Sequence, residues 1–244
     1  MKASPADQEL LLDLQALDTT VAQLDYKATS LPQHAALAAL ASEAEQSRLA
    51  EIGRSGARED VAIELKRIEA DVAVVETRIA RDSERLQASS SVKDVQALEQ
   101  ELAALKKRQN DLEEIELTVM ERLEEVDAEL AAARESTATV TARVAELEGE
   151  RDAALSTIAG ERQHAAANRA TIAAKVPSDL LDLYEKQRAR YGNGASLLRG
   201  GVSSASGVKL LENDLQTIRE AAPDDVLLCP DSNAILIRTS ESGL

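Results

Sequence analysis

Near the C-terminus two short knuckles carry residues at the spacing of metal ligands. They are Ser203-Ser204-Ala205-Ser206 and, after 22 intervening residues, Cys229-Pro230-Asp231-Ser232. Structural zinc sites often pair two such knuckles across about 15–20 residues, with a cysteine at each end of each knuckle. Zinc is held there by thiolates, which are soft donors and ionise under its influence near neutral pH. Hydroxyls stand at Ser203, Ser206 and Ser232, and only Cys229 offers a thiol. These four positions are therefore expected to be a vestigial site that takes no zinc, and no other cofactor is expected. Cys229 is the sole cysteine, which excludes an internal disulfide. Its neighbours Leu228, Pro230 and Asp231 supply no cation to activate a thiol, so an inert residue is expected.

A second group of side chains could meet a polyanion. Lys186, Arg188 and Arg190, with Arg199 further on, alternate with Tyr184 and Tyr191. Cations neutralise phosphates and aromatic rings stack on bases, so this segment is the candidate nucleic-acid contact. Asp182 and Glu185 sit within it, as on an ordinary solvated helix face. His34 and His164 are single and far apart. The chain holds no phosphate loop, no Ser/His/Asp set and no dinucleotide fingerprint, and no enzyme activity is expected.

The elements that position these residues follow from composition and period. The chain of 244 residues has no Phe or Trp and only three Tyr, while charged residues make up 30%. Ala, Leu, Glu and Arg in such proportion point to long helices packed on thin seams. There is no apolar run long enough to span a membrane and no apolar core of a signal peptide near Met1, so a cytoplasmic protein is expected. The net charge of -16 is uneven: residues 1–174 hold 20 Lys+Arg against 34 Asp+Glu, and residues 175–220 hold 7 against 6. The long helices would repel nucleic acid; only the middle segment tolerates it.

Ser4-Pro5-Ala6-Asp7 is a helix start, with serine as the cap and proline at the first helical position. Leu10, Leu14, Leu17, Val21, Leu24, Ala28 and Leu31 then alternate at steps of four and three, the seam of a coiled coil. Pro32 kinks or breaks that helix. The pattern resumes at Val61, Leu65, Ile68, Val72, Val75 and Ile79, past a soft spot at Gly53 and Gly56. Ala88-Ser89-Ser90-Ser91 turns the chain. Stepping from Leu98 to Ile158 then visits eighteen positions, fourteen of them apolar; the others are Gln109, Glu116, Thr137 and Arg151. Two seams of matching length joined by a short turn predict an intramolecular antiparallel hairpin, in preference to a parallel dimer through one of the seams. A short helix over Leu180–Arg190, another over Asn213–Glu220, and strands at Val226–Cys229 and Ala234–Thr239 complete the reading.

In order and spacing these segments resemble bacterial coiled-coil hairpin proteins that end in a C4-type zinc ribbon. The carriers are Leu11-Leu12-Asp13-Leu14-Gln15-Ala16-Leu17-Asp18, the Leu31-Pro32 break, Val95-Gln96-Ala97-Leu98-Glu99-Gln100-Glu101-Leu102, Pro177-Ser178-Asp179-Leu180-Leu181 before Tyr184-Glu185-Lys186-Gln187-Arg188, and Asp225-Val226-Leu227-Leu228-Cys229-Pro230 before Ile235-Leu236-Ile237-Arg238. The resemblance implies one structural zinc on paired CxxC knuckles, from which this chain departs at three positions. It also implies adaptor or chaperone roles, some tied to flagellar or type III secretion and its alternative sigma factor, with nucleic-acid binding as a further proposal.

The expectation is therefore a mainly α protein. A long antiparallel coiled-coil hairpin occupies residues 1–174, with its turn near 87–92 and its kink near 31–33. A short helix and a zinc-ribbon-like α+β module lacking its metal occupy 175–244. It is expected to act as a non-enzymatic adaptor or chaperone-like scaffold for protein partners, with no membrane contact, as a monomer or weak dimer. The alternative is a nucleic-acid-binding accessory protein using residues 186–199.

Overall fold

The computed structural model describes residues 1–243, which are mainly helical with a small C-terminal sheet. Helix α1 spans Pro5–Thr29, α2 Pro32–Ala88 and α3 Val92–Ala173. The Ser4 hydroxyl caps α1 by accepting from the Asp7 N–H at 3.1 Å. At Pro32 the helix breaks instead of kinking: Ser30 and Leu31 are non-helical, and Pro32 opens α2, where its missing N–H costs nothing. The hairpin turn is Ser89–Ser91, and the Ser91 hydroxyl accepts from the Asp94 N–H to start α3. Gly53 and Gly56 do not interrupt α2, which is continuous for 57 residues. At 1.5 Å per residue α3, with 82 residues, is about 120 Å long.

The seam lies where the heptads place it. All eighteen positions from Leu98 to Ile158 are buried or half-buried, the four that are not apolar among them. Of these, Leu102, Leu112, Val119, Leu130, Val140, Leu147 and Ile158 are buried, which is the thin core of a two-helix coil.

The described residues form two compact units. In one, Gln33–Gly149, α2 runs antiparallel to the first part of α3. Val61, Ile68 and Val119 form its central cluster, flanked by Leu65, Val72, Leu123 and Val126. Ion pairs cross between the helices at Arg58–Asp127 (2.9 Å), Arg78–Glu101 (2.5 Å) and Arg122–Glu64.

The other unit joins Met1–Pro32 to Glu150–Leu244. Here α1 packs on the end of α3, with Leu24, Leu31 and Ile158 in contact. Helix α4 (Ser178–Tyr191) precedes strands β1 (Ala195–Arg199) and β2 (Val202–Ser203), then α5 (Glu212–Glu220), β3 (Leu227–Leu228) and β4 (Ile235–Ile237). The sheet order is β2-β1-β4-β3, and only β1 and β4 are parallel. Successive strand side chains point to opposite faces. Ile235 and Ile237 accordingly pack with Leu11, Leu14, Leu180 and Tyr184 on one face. Leu236 joins Leu198, Leu210, Leu215, Ile218 and Cys229 on the other.

Candidate functional site

The two knuckles are internal copies of one another. The Ser203 N–H donates to the Val208 carbonyl at 3.2 Å, and the Cys229 N–H donates to the Ala234 carbonyl at 2.8 Å. The Gly207 N–H returns to the Ser203 carbonyl at 2.8 Å, and the Asn233 N–H to the Cys229 carbonyl at 2.9 Å. The Ser206 hydroxyl accepts from the Val208 N–H at 3.3 Å; the Ser232 hydroxyl accepts from the Ala234 N–H at 3.4 Å. Gly207 and Asn233, at equivalent places, both have left-handed backbone, with φ of 69° and 58°. Glycine adopts it freely, and asparagine is among the few other residues that tolerate it. Four separate features thus agree, position by position, over six residues.

Between the knuckles lies a buried cluster of hydroxyls and one thiol. Ser203 and Cys229 are both fully buried, with 3.4 Å between Oγ and Sγ. The Ser203 hydroxyl also meets Ser196 Oγ at 2.7 Å, and Ser196 accepts from the Ala205 N–H at 3.1 Å. Burial opposes the Cys229 thiolate, but hydrogen bonds from Ser203, Ser232 and the backbone of Ser232 and Asp231 outweigh it and hold the thiol below its usual value. Zinc does not fit this donor set. One sulfur is present where a structural site uses four N or S ligands, and hydroxyls are poor substitutes for thiolates. The Ser203, Ser206 and Ser232 hydroxyls are moreover each hydrogen-bonded within the protein.

The basic segment is divided. Tyr184 is fully buried and its hydroxyl donates to Asp18 Oδ2 at 2.7 Å, so its ring offers no face to a base. Burial, with the Asp18 contact second, pushes that phenol well above its ordinary pKa. Arg188 donates to Glu185 at 2.8 Å and lies 3.4 Å from Asp18. Arg169, from α3, grips Asp18 at 2.6 Å and Glu185 at 2.5 Å, and the Asp18 bond raises its pKa further. Lys186 and Arg190 are exposed, and the Arg190 guanidinium lies 5.3 Å from the Tyr191 ring centre. Arg199 stands apart on β1, paired with Glu241 at 3.1 Å. The six residues therefore do not make one patch.

Three residues with central roles are not among the predicted site residues, although Gln15 and Asp18 lie in the opening segment that carries the family resemblance. Gln15, Asp18 and Arg169 tie α1 and α3 to α4. The Gln15 side-chain oxygen accepts from the Gly194 and Ala195 N–H groups at 2.7 and 3.2 Å, fixing the entry to β1. Their partners lie over 150 residues away in most cases, beyond any local pattern.

A family model, the CT398-like coiled coil hairpin domain, matches residues 14–192. Uncharacterised proteins from two strains of Mycobacterium tuberculosis are 34% identical over 241 residues, covering 98% of this chain and 98% of theirs. A solved structure from Mycobacterium smegmatis is 32% identical, with a TM-score of 0.82 over 98% of this chain and all of that one. CT398 from Chlamydia trachomatis shares the fold at 18% identity, with a TM-score of 0.59 over 96% of this chain and 99% of its own.

Proposed function

The chain belongs to the CT398-like coiled coil hairpin family, and from that premise we propose that it is a non-enzymatic adaptor or chaperone-like scaffold for a protein partner. The observation that carries this reading is an apolar stripe on α2 turned away from the seam. Ile52, Ile63 and Val74 are 55%, 62% and 67% exposed. They stand eleven residues apart, about three helical turns, and so fall on one face of the helix. Apolar side chains in a row on a charged helix have no internal role and suit a partner's helix. The C-terminal module supplies the second contact, through Leu211 and Val208, both exposed.

The paired knuckles support reading that module as a zinc-ribbon fold that carries no zinc. Their repeated bonding falls at the four positions where such a ribbon would place its ligands, Ser203, Ser206, Cys229 and Ser232. The nucleic-acid reading gains less support, because Tyr184 and Arg188 are occupied within the fold. No described helix is long and apolar enough to cross a membrane.

The test is affinity capture with nuclease, comparing the natural chain with an Ile52/Ile63/Val74→Gln variant and a Lys186/Arg190→Ala variant. The expected result is a set of proteins lost with the first variant and kept with the second. Recovery of RNA or DNA that vanishes with the Lys186/Arg190 change would replace the adaptor reading by its alternative.

A further inference from the structure

We infer that the C-terminal module has exchanged its metal for three protein clasps, each tying together segments that a bound ion would otherwise organise. This rests on the ribbon reading above. The problem it answers is one of size: α1 covers one face of the sheet, but the knuckle face is packed by module residues alone, and fewer than about 70–80 residues seldom supply enough core without a metal or disulfide. Neither is open to residues 178–243, which have one thiol.

The first clasp is the buried cluster already described. A zinc would join one knuckle to the other. Here Ser203 touches Cys229 directly and is itself bonded to Ser196 at the start of the same sheet. The cluster's polar groups are all hydrogen-bonded within it or to the backbone, so burying it carries no penalty for an unpaired polar group.

The second clasp is Arg238, immediately after β4. Its guanidinium donates to four backbone carbonyls: Ile218 at 3.1 Å, Ala221 at 2.9 Å, Ala222 at 2.5 Å and Asp225 at 3.0 Å. Those oxygens belong to the end of α5 and the loop that follows, within the stretch that separates the knuckles. A helix C-terminus leaves carbonyls without partners and carries partial negative charge, so a cation there satisfies both needs. One side chain thereby fixes the intervening segment to the sheet. Lysine could not reproduce this, since the planar fork is what reaches four oxygens.

The third clasp is the segment Met1–Ala3. The Ala3 N–H donates to the Asp224 carbonyl at 2.9 Å, the Val226 N–H donates to the Met1 carbonyl at 3.2 Å, and Lys2 Nζ meets Asp224 at 2.9 Å. Residues 1–3 thus form a short antiparallel bridge to Asp225, just ahead of β3, and hold the same loop.

The experiment uses the full chain prepared with zinc in the medium. Elemental analysis and amide exchange over residues 195–239 are measured with and without a chelator. Far less than one zinc per chain, with protection indifferent to the chelator, is expected; stoichiometric zinc whose removal abolishes protection would overturn the inference. In Arg238→Met, protection over 212–239 should fall by about tenfold or more, the scale of a lost charge-assisted bond, while α3 is unchanged. Unaltered protection would remove Arg238 as a clasp. If that variant does not fold, Arg238→Lys should show a smaller loss confined to the same amides, and no local loss would again count against it. Finally, Ser203/Ser206/Ser232→Cys should take up one zinc, with a tetrahedral thiolate spectrum when cobalt is substituted. Failure to bind metal would sink the ribbon reading, failure of the chelator arm would sink the clasps together with the metal-free reading, and failure of the Arg238 arm alone would sink only that clasp.

Discussion

At the scale of single residues, two positions decide local stability in opposite directions. Asp82 continues the α2 seam three residues past Ile79, and its side chain is only 1% exposed. Arg78, Arg81 and Arg85 gather around it at 3.4–3.9 Å, yet one carboxylate oxygen has no hydrogen-bond donor. A carboxylate desolvated in an apolar seam gains less from such pairs than leucine would from packing. Asp82→Leu should stabilise the end of the hairpin by about 1–3 kcal/mol, seen as slower amide exchange near residues 75–105. Slower exchange nowhere, or faster exchange there, would mean that the arginines more than repay its desolvation. Gly194 is the reverse case. A Cβ placed there would lie 2.5 Å from the Tyr184 ring and 2.8 Å from the Tyr184 carbonyl, neither of which can retreat from a packed core. Gly194→Ala should therefore cost about 1–3 kcal/mol, measured as a drop in the midpoint of urea unfolding.

Among elements, the docking of α4 depends on Asp18, whose side chain is 8% exposed and shared by Tyr184, Arg169 and Arg188. Asp18→Asn keeps the shape but removes the charge that three donors converge on. It should loosen α4 from α1 by about 2–4 kcal/mol, visible as increased proteolysis near residues 175–195 with the α2–α3 pair intact. Glu185 adds a pH dependence. Its burial favours protonation, but Arg169 and Arg188 overcome this and hold its pKa below the ordinary value. A depressed carboxylate stabilises the fold above its unfolded pKa of about 4.3, and that contribution is lost as pH falls through the lower folded value. The same cleavage assay should be flat above about pH 5 and rise below about 4 for the natural chain, with a weaker rise for Glu185→Gln. The seam itself was legible because a period of four and three survives polar insertions such as Glu116 and Thr137. Asp82 was missed because a carboxylate hides the period that it obeys. Strands β1 and β2 were missed because Ala195-Ser196-Leu197-Leu198-Arg199 alternates weakly and pairs in parallel with β4, 40 residues on. The segments at Ser203 and Cys229 stand out by their spacing, whereas the Asp18 network depends on contacts between segments no local pattern connects.

For the whole molecule the decisive quantity is charge. Residues 1–174 carry fourteen more acidic than basic groups, and the net charge of the chain is -16. Two electrostatic effects then oppose each other. Ion pairs across the helices, such as Arg54–Glu129 and Arg58–Asp127, are attractive but about half exposed, and such pairs contribute only about 0–1 kcal/mol each. The excess of carboxylates repels itself over every distance within the Debye length, about 30 Å at 0.01 M salt and about 8 Å at 0.15 M. At low salt the repulsion therefore sums over many residues, while each ion pair remains a single contact. Added salt should remove more repulsion than attraction, raising the thermal midpoint by a few degrees between about 0.01 and 0.15 M sodium chloride. A midpoint that falls instead would mean that the interhelical pairs act as a cooperative network and govern stability. The same acidity bears on function. A partner held by Ile52, Ile63 and Val74 should remain bound as salt rises, because burial of apolar surface is not screened. Phosphate contacts at Lys186 and Arg190 would weaken steeply over that range, so the salt dependence of a captured complex separates the two readings without identifying the partner.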